Sequence, residues 1–129
     1  MPPLPRVLVV DDNRDFRENL AEVLGAHGVE VGLAGDGSDA LAILEHDPLP
    51  HVVLLDLWMP MVDGHALLRA LRADPRLAAV RVIVLTASDL GNEGLGVPFL
   101  VKPFSVEDLL TLMTAVLREG AQPSPDSRR

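Results

Sequence analysis

The sequence contains no cysteine, which excludes a disulfide framework and any thiolate metal site. Aromatic residues are only 3% of the chain, namely Phe16, Phe99, Phe104 and Trp58, so the core must be built from Val, Leu, Ile and Ala. Positive charge is in deficit, with 11 Lys and Arg against 19 Asp and Glu and a formal net charge of −8. That sign disfavours nonspecific attachment to nucleic acid or to an anionic membrane surface. No apolar run approaches the roughly 18 residues of a membrane-spanning helix, and Met1 to Arg6 holds no apolar signal segment. The expectation is one soluble, cytoplasmic domain of 129 residues, large enough for a proper core.

What is present is organised by three apolar runs that stop abruptly at polar residues. Val7-Leu8-Val9-Val10 ends at Asp11-Asp12, Val52-Val53-Leu54-Leu55 at Asp56, and Val82-Ile83-Val84-Leu85 at Thr86. A buried aliphatic run ending in a carboxylate is how a central parallel strand delivers charge to the rim of a sheet. Two weaker strands read as edges: Val29 to Leu33, where Glu30 and Gly32 alternate with apolar residues, and Phe99-Leu100-Val101.

Helical spacing fills the intervals. Phe16, Leu20, Val23 and Leu24 mark a helix from Asn13 to about His27, with Asp12 or Asn13 as its cap. Ala40, Leu41 and Leu44 mark a second, from Ser38 to Glu45, and Leu67, Leu68 and Leu71 a third, from Gly64 to Arg72. Ser105, with Asp108 in capping-box position, opens a last helix whose inward stripe is Leu109, Leu112, Met113, Val116 and Leu117. This alternation predicts an α/β flavodoxin-like, doubly wound, five-stranded parallel sheet in the order 2-1-3-4-5, with its ligand crevice beside strands 1 and 3. The domain is expected over residues 1–118, with 119–129 as a flexible polar tail.

On that topology Asp11, Asp12, Asp56 and Thr86 share the carboxyl edge. Three carboxylates there repel one another and call for a cation. His27, His46, His51 and His65 show no ligand spacing and read as surface or loop residues. The cation is therefore hard and oxygen-seeking, and Mg²⁺ fits best. With Lys102 opposite and a hydroxyl nearby, the arrangement suits phosphoryl transfer to Asp56 as a nucleophilic carboxylate. Blander readings exist for each residue taken alone. Asp11-Asp12 can simply cap a helix, Asp56 can belong to a turn, Thr86 and Phe99 can be core residues, and Lys102 can be an exposed edge lysine.

Val9-Val10-Asp11-Asp12-Asn13, Leu54 to Pro60, Val62-Asp63-Gly64, Leu85-Thr86-Ala87 and Phe99 to Phe104 together resemble the receiver domain of two-component response regulators. The resemblance runs from about residue 6 to residue 118. It implies that Asp56 is the phosphorylated aspartate. Asp12, Asp56 and the Trp58 backbone carbonyl would bind Mg²⁺ directly, and Asp11 mostly through water. Lys102, before a cis bond to Pro103, would hold the phosphoryl group. Thr86 would move toward it, and Phe99 would rotate inward behind. The donor would be a phosphohistidine on a sensor histidine kinase or phosphotransfer protein, and the output an unknown protein target, with no direct contact to nucleic acid or membrane.

The chain departs from that family between Thr86 and Phe99, where only Ala87 to Pro98 remain and Gly91, Gly94 and Gly96 disfavour a helix. A shortened or missing fourth helix is expected, with Leu85, Leu90, Leu95 and Leu100 less covered and any homodimer using a non-standard face. Trp58, two residues past Asp56, is expected to overhang the site. Two alternatives to a phosphorylated receiver stand beside it. One is a receiver-like binding scaffold that is never phosphorylated. The other is an aspartyl-phosphate phosphatase, which usually needs an acid where Trp58 stands. A stand-alone receiver, or a piece of a longer regulator with 119–129 as linker, accounts for the short tail.

Overall fold

The computed structural model describes residues 5–56, 64–87 and 96–120. Five strands form one parallel sheet: β1 (Arg6–Val10), β2 (Glu30–Ala34), β3 (Val52–Leu55), β4 (Arg81–Thr86) and β5 (Phe99–Val101). Their order is β2-β1-β3-β4-β5, as the run patterns predict. The all-apolar strands are central because both of their faces are covered, and every residue of β3 is buried.

The helices are α1 (Arg14–Ala26), α2 (Gly37–Leu44), α3 (Gly64–Ala73) and α4 (Val106–Gly120), with a short 3₁₀ turn at Pro75–Leu77. Asn13 caps α1, its side chain accepting from the Phe16 amide at 3.0 Å. Asp36 caps α2 through the Asp39 amide at 2.8 Å. Ser105 Oγ accepts from the Asp108 amide at 3.0 Å and starts α4. That last helix runs two residues past the boundary expected at 118. Residues 121–129, most of the expected tail, lie outside the described residues.

Two hydrophobic cores sit on opposite faces of the sheet, because successive strand residues point to opposite sides. Leu8, Val10, Val53, Leu55, Val82 and Val84 pack against α2 and α3 through Ala40, Leu44, Leu67, Leu68 and Leu71. Val7, Val9, Val52, Leu54, Ile83 and Leu85 pack against α1 and α4 through Leu20, Leu24, Leu109, Met113 and Val116. Among the described residues no helix is long and apolar enough to cross a membrane.

This alternation corrects one expectation. Leu85 is only 1% exposed, and Leu100 packs on the same core under α4. The side chains that emerge are the neighbours of Leu100 on β5, Phe99 at 36% and Val101 at 38%. A one-residue shift in a strand exchanges the faces, so on β5 the exposed residues are Phe99 and Val101 rather than Leu100. Leu90, Leu95 and most of the segment expected to hold a shortened or missing fourth helix, residues 88–95, lie outside the described residues. The histidines also need adjustment, since His65 is half-buried within α3 and His51 half-buried with its Nδ1 accepting from the Arg6 amide at 2.9 Å. Glu18, Glu22 and Glu30 are exposed, as expected of a solvated face. Glu18 pairs with Arg14 at 2.9 Å, and this hydrogen bond raises the guanidinium pKa above its ordinary value.

Candidate functional site

Three strand ladders run one residue further than the strands themselves, and in each case that residue has an ionisable side chain. The Asp11 amide donates to Ala34 O at 3.2 Å, the Asp56 amide to Val10 O at 2.9 Å, and the Lys102 amide to Thr86 O at 2.7 Å. Strand alternation therefore extends to them. Asp11 takes the face of Val9, Asp56 that of Leu54, and Lys102 that of Leu100, all on the α1/α4 side. Thr86 takes the face of Val84 instead, and β5 pairs Phe99 with Val84 and Val101 with Thr86. Thr86 and Phe99 thus share the face opposite the acids, Thr86 fully buried and Phe99 partly exposed.

Carboxylate oxygens of Asp11, Asp12 and Asp56 lie within 4.8 Å of one another. Asp11 is 1% exposed and Asp56 9%, whereas Asp12 is open to solvent. Asp11 is held at every polar atom. Besides its own amide bond, Oδ1 accepts from the Asn13 amide at 2.9 Å, Oδ2 from Lys102 Nζ at 2.7 Å, and its carbonyl from Arg17 Nη1 at 2.8 Å. The Lys102 ammonium, with its side chain 24% exposed, also sits 4.0 Å from the centre of the Phe16 ring. Phe104 meets Phe16 edge-on, with ring centres 6.3 Å apart and planes at 86°. The Lys102–Pro103 bond is cis.

The donor set fits a hard divalent ion. Its three groups are all carboxylates, with no imidazole or thiolate among them. Among the described residues the cluster sets the Lys102 ammonium against three carboxylates, an excess of negative charge that a divalent cation would cancel. A concavity of another kind lies elsewhere. A cleft of about 390 Å³ lies against Leu71, Arg72, Leu77, Val82 and Pro98, at the start of β4. Val82 and Thr86 are four residues apart on that strand, about 13 Å, so the cleft and the carboxylates occupy different ends of the sheet.

The sequence matches the family model described as "Response regulator receiver domain" over residues 7–114. The chain belongs to the response regulator receiver family. It is 42% identical over 119 residues to the response regulator MprA of Mycolicibacterium vanbaalenii, covering 88% of this chain and 50% of that one. It is 41% identical over 129 residues to MprA of a Mycobacterium species, covering 95% and 55%. The chain thus spans about half the length of these curated relatives. Among solved structures it resembles the chemotaxis protein CheY4 of Vibrio cholerae, with a TM-score of 0.79 and 29% identity over 88% of this chain and 98% of that one. A response regulator receiver protein from Pseudomonas putida gives 0.79 and 33%, over 89% and 99%.

The receiver fold brings together Asp11, Asp12, Asp56 and Lys102 as the sequence predicts, and it places Thr86 at the adjoining strand end. Trp58 and its carbonyl lie outside the described residues. Sequence reading missed Arg17, whose guanidinium fixes the Asp11 carbonyl across six residues. It also missed the aromatic pair beside Lys102. Phe16 was legible only as part of the α1 stripe, because nothing in helical periodicity says which core residue faces a lysine far away in sequence.

Proposed function

We propose that this receiver domain accepts a phosphoryl group on Asp56 from a phosphohistidine donor, carried by a sensor histidine kinase or a phosphotransfer protein, in a Mg²⁺-dependent reaction. The phosphorus–nitrogen bond to imidazole breaks, a phosphorus–oxygen bond to an Asp56 carboxylate oxygen forms, and the imidazole takes up a proton. One observation carries the reading: among the described residues, three carboxylates from two strand ends lie within 4.8 Å of one another, with the Lys102 ammonium on Asp11. Asp11, Asp12 and Asp56 would hold Mg²⁺, which supplies charge neutralisation for the transferring group. Lys102 neutralises part of the charge from the other side, and Thr86 offers a hydroxyl at the end of β4.

Phosphorylation adds about −1.5 to −2 charges to a site whose fixed cation is Lys102. Thr86 moves toward the added oxygens, and Phe99, on the same face, follows into the space behind it. A protein target then reads the face on which Phe99 and Val101 emerge, and a homodimer would use a non-standard face. The domain is a signalling module whose only chemistry is the gain and loss of its own phosphoryl group.

The test is labelling by a phosphohistidine donor, or by acetyl phosphate, with Mg²⁺ present. Stoichiometric label that is abolished in Asp56→Asn and by chelation supports the proposal. Full label in Asp56→Asn, or none in the wild type, ends it. Repeated turnover of a phosphate ester would point to a phosphatase instead.

A further inference from the structure

Phe16 has a place in the site that its position in a helix stripe does not require. Its backbone is fixed by the α1 cap, where Asn13 Oδ1 accepts from the Phe16 amide at 3.0 Å. Asn13 is itself tied to the acid cluster, its amide donating to Asp11 Oδ1 at 2.9 Å. The ring half-buries against Phe104, which follows Lys102 by two residues, at an interplanar angle of 86°. The Lys102 ammonium lies 4.0 Å from the Phe16 ring centre. This is well inside the range of about 6 Å within which a cation is drawn to an aromatic face.

We propose that Phe16 is a positioning residue for Lys102, its ring keeping the ammonium of a flexible side chain aimed into the acid cluster. A lysine stem has four rotatable carbons, and holding its tip in one place costs conformational entropy. The Asp11–Lys102 ion pair at 2.7 Å supplies one restraint. The ring supplies a second of a different kind. It attracts the ammonium through its quadrupole and carries no net charge, so it leaves the cation's charge available to an incoming anion. A second carboxylate at that position would cancel it. Phe104 completes the clasp by joining the turn after β5 to the start of α1, so both partners of the cation are anchored at the same corner.

This inference rests on the proposed phosphoryl transfer, and the experiment separates the two. Phe16 is replaced by Leu, by Trp, and by a series of phenylalanines carrying one, two and three ring fluorines, which weaken the ring quadrupole at nearly constant size. Two readouts are taken: the acetyl phosphate labelling rate, and the NMR shifts of the Lys102 ε-methylene without any phosphodonor. The expected result is a labelling rate about three- to tenfold lower in Phe16→Leu, near wild type in Phe16→Trp, and falling stepwise with fluorine number while the melting temperature stays constant. The Lys102 ε-protons should lose their upfield ring-current shift in Phe16→Leu and keep it in Phe16→Trp. A rate that ignores the fluorine series, or follows melting temperature alone, overturns the proposal. Should the wild type fail to label, phosphoryl transfer fails, while ε-proton shifts indifferent to Phe16→Leu would overturn the positioning role on their own.

Discussion

Replacing Asp56 by Asn should stabilise the domain, against the usual direction for a change at a buried site. The carboxylates of Asp11, Asp12 and Asp56 lie within 4.8 Å of one another. Two unit charges at that distance repel by about 1 kcal/mol at a dielectric constant near 80 and about 3.5 kcal/mol near 20. The lower figure suits the pair with exposed Asp12, and the higher one the pair with buried Asp11. Lys102, 2.7 Å from Asp11, offsets most of the second repulsion. Asn keeps one carbonyl oxygen as acceptor, and mismatch of its amide costs about 1 kcal/mol. The balance is a gain of about 1–2 kcal/mol, or a melting temperature about 3–10 °C higher for a domain of this size. The assay is thermal and urea unfolding with and without Mg²⁺. Wild type should gain about 1.4 kcal/mol when Mg²⁺ is present at ten times its dissociation constant. Asp56→Asn should lose most of that gain, so the two proteins converge as Mg²⁺ rises. A lower melting temperature for Asp56→Asn in chelator, or a wild type indifferent to Mg²⁺, would refute the electrostatic account of the cluster.

Lys102→Met should act in the opposite sense, leaving buried Asp11 without its cation and lowering stability by about 1–3 kcal/mol in urea titrations; no loss would mean that the ion pair contributes nothing. Leu54→Ala, at a fully buried position of β3, should cost about 2–5 kcal/mol through cavity formation, read from the shift in urea midpoint at unchanged slope. Ser105→Ala removes the oxygen that accepts the Asp108 amide at 3.0 Å and should cost about 0.5–2 kcal/mol. Its companion Ser105→Asp should restore most of that stability, since aspartate caps equally well.

The sheet was legible because burial on two faces leaves a plain mark. Only continuous apolar runs such as Val52 to Leu55 satisfy a strand packed against helices on both sides, and the two interrupted runs could only be edges. The carboxyl-edge placement followed from the same runs, since each ended at a polar residue that the sheet then carried to its rim. What could not be read was anything that depends on side-chain direction across the chain. Phe16 and Lys102 lie in segments joined by no local pattern, and their contact comes from the β1 and β5 turns meeting at one corner. Arg17 looked like an ordinary polar residue in a helix, because a side chain reaching a backbone carbonyl leaves no periodicity. The misplaced exposure at Leu85 and Leu100 has a sharper cause. Run and length say that a strand is there, but only its register against its neighbours decides which of two adjacent apolar residues is exposed.

That register also bears on where a charge placed at Asp56 would be felt. The acids and Lys102 lie on the α1/α4 face, while Thr86 and Phe99 lie on the other, so a signal must cross the sheet to reach them. It has a short route, because the Lys102 amide donates to the Thr86 carbonyl at 2.7 Å. The strand carrying the cation and the strand carrying the hydroxyl therefore meet at the site itself. β1, β3 and β4 are packed almost without exposure and resist displacement, whereas β5 has three residues, two of them more than a third exposed. Segments with few buried contacts are the least costly to move. A response driven from Asp56 should concentrate in β5 and leave the central strands in place. Amide exchange after phosphorylation should accordingly change at Phe99, Leu100 and Val101 and stay constant at Val9, Leu54 and Ile83. Equal change in both sets would mean that the sheet moves as one body and that β5 has no special part in signalling.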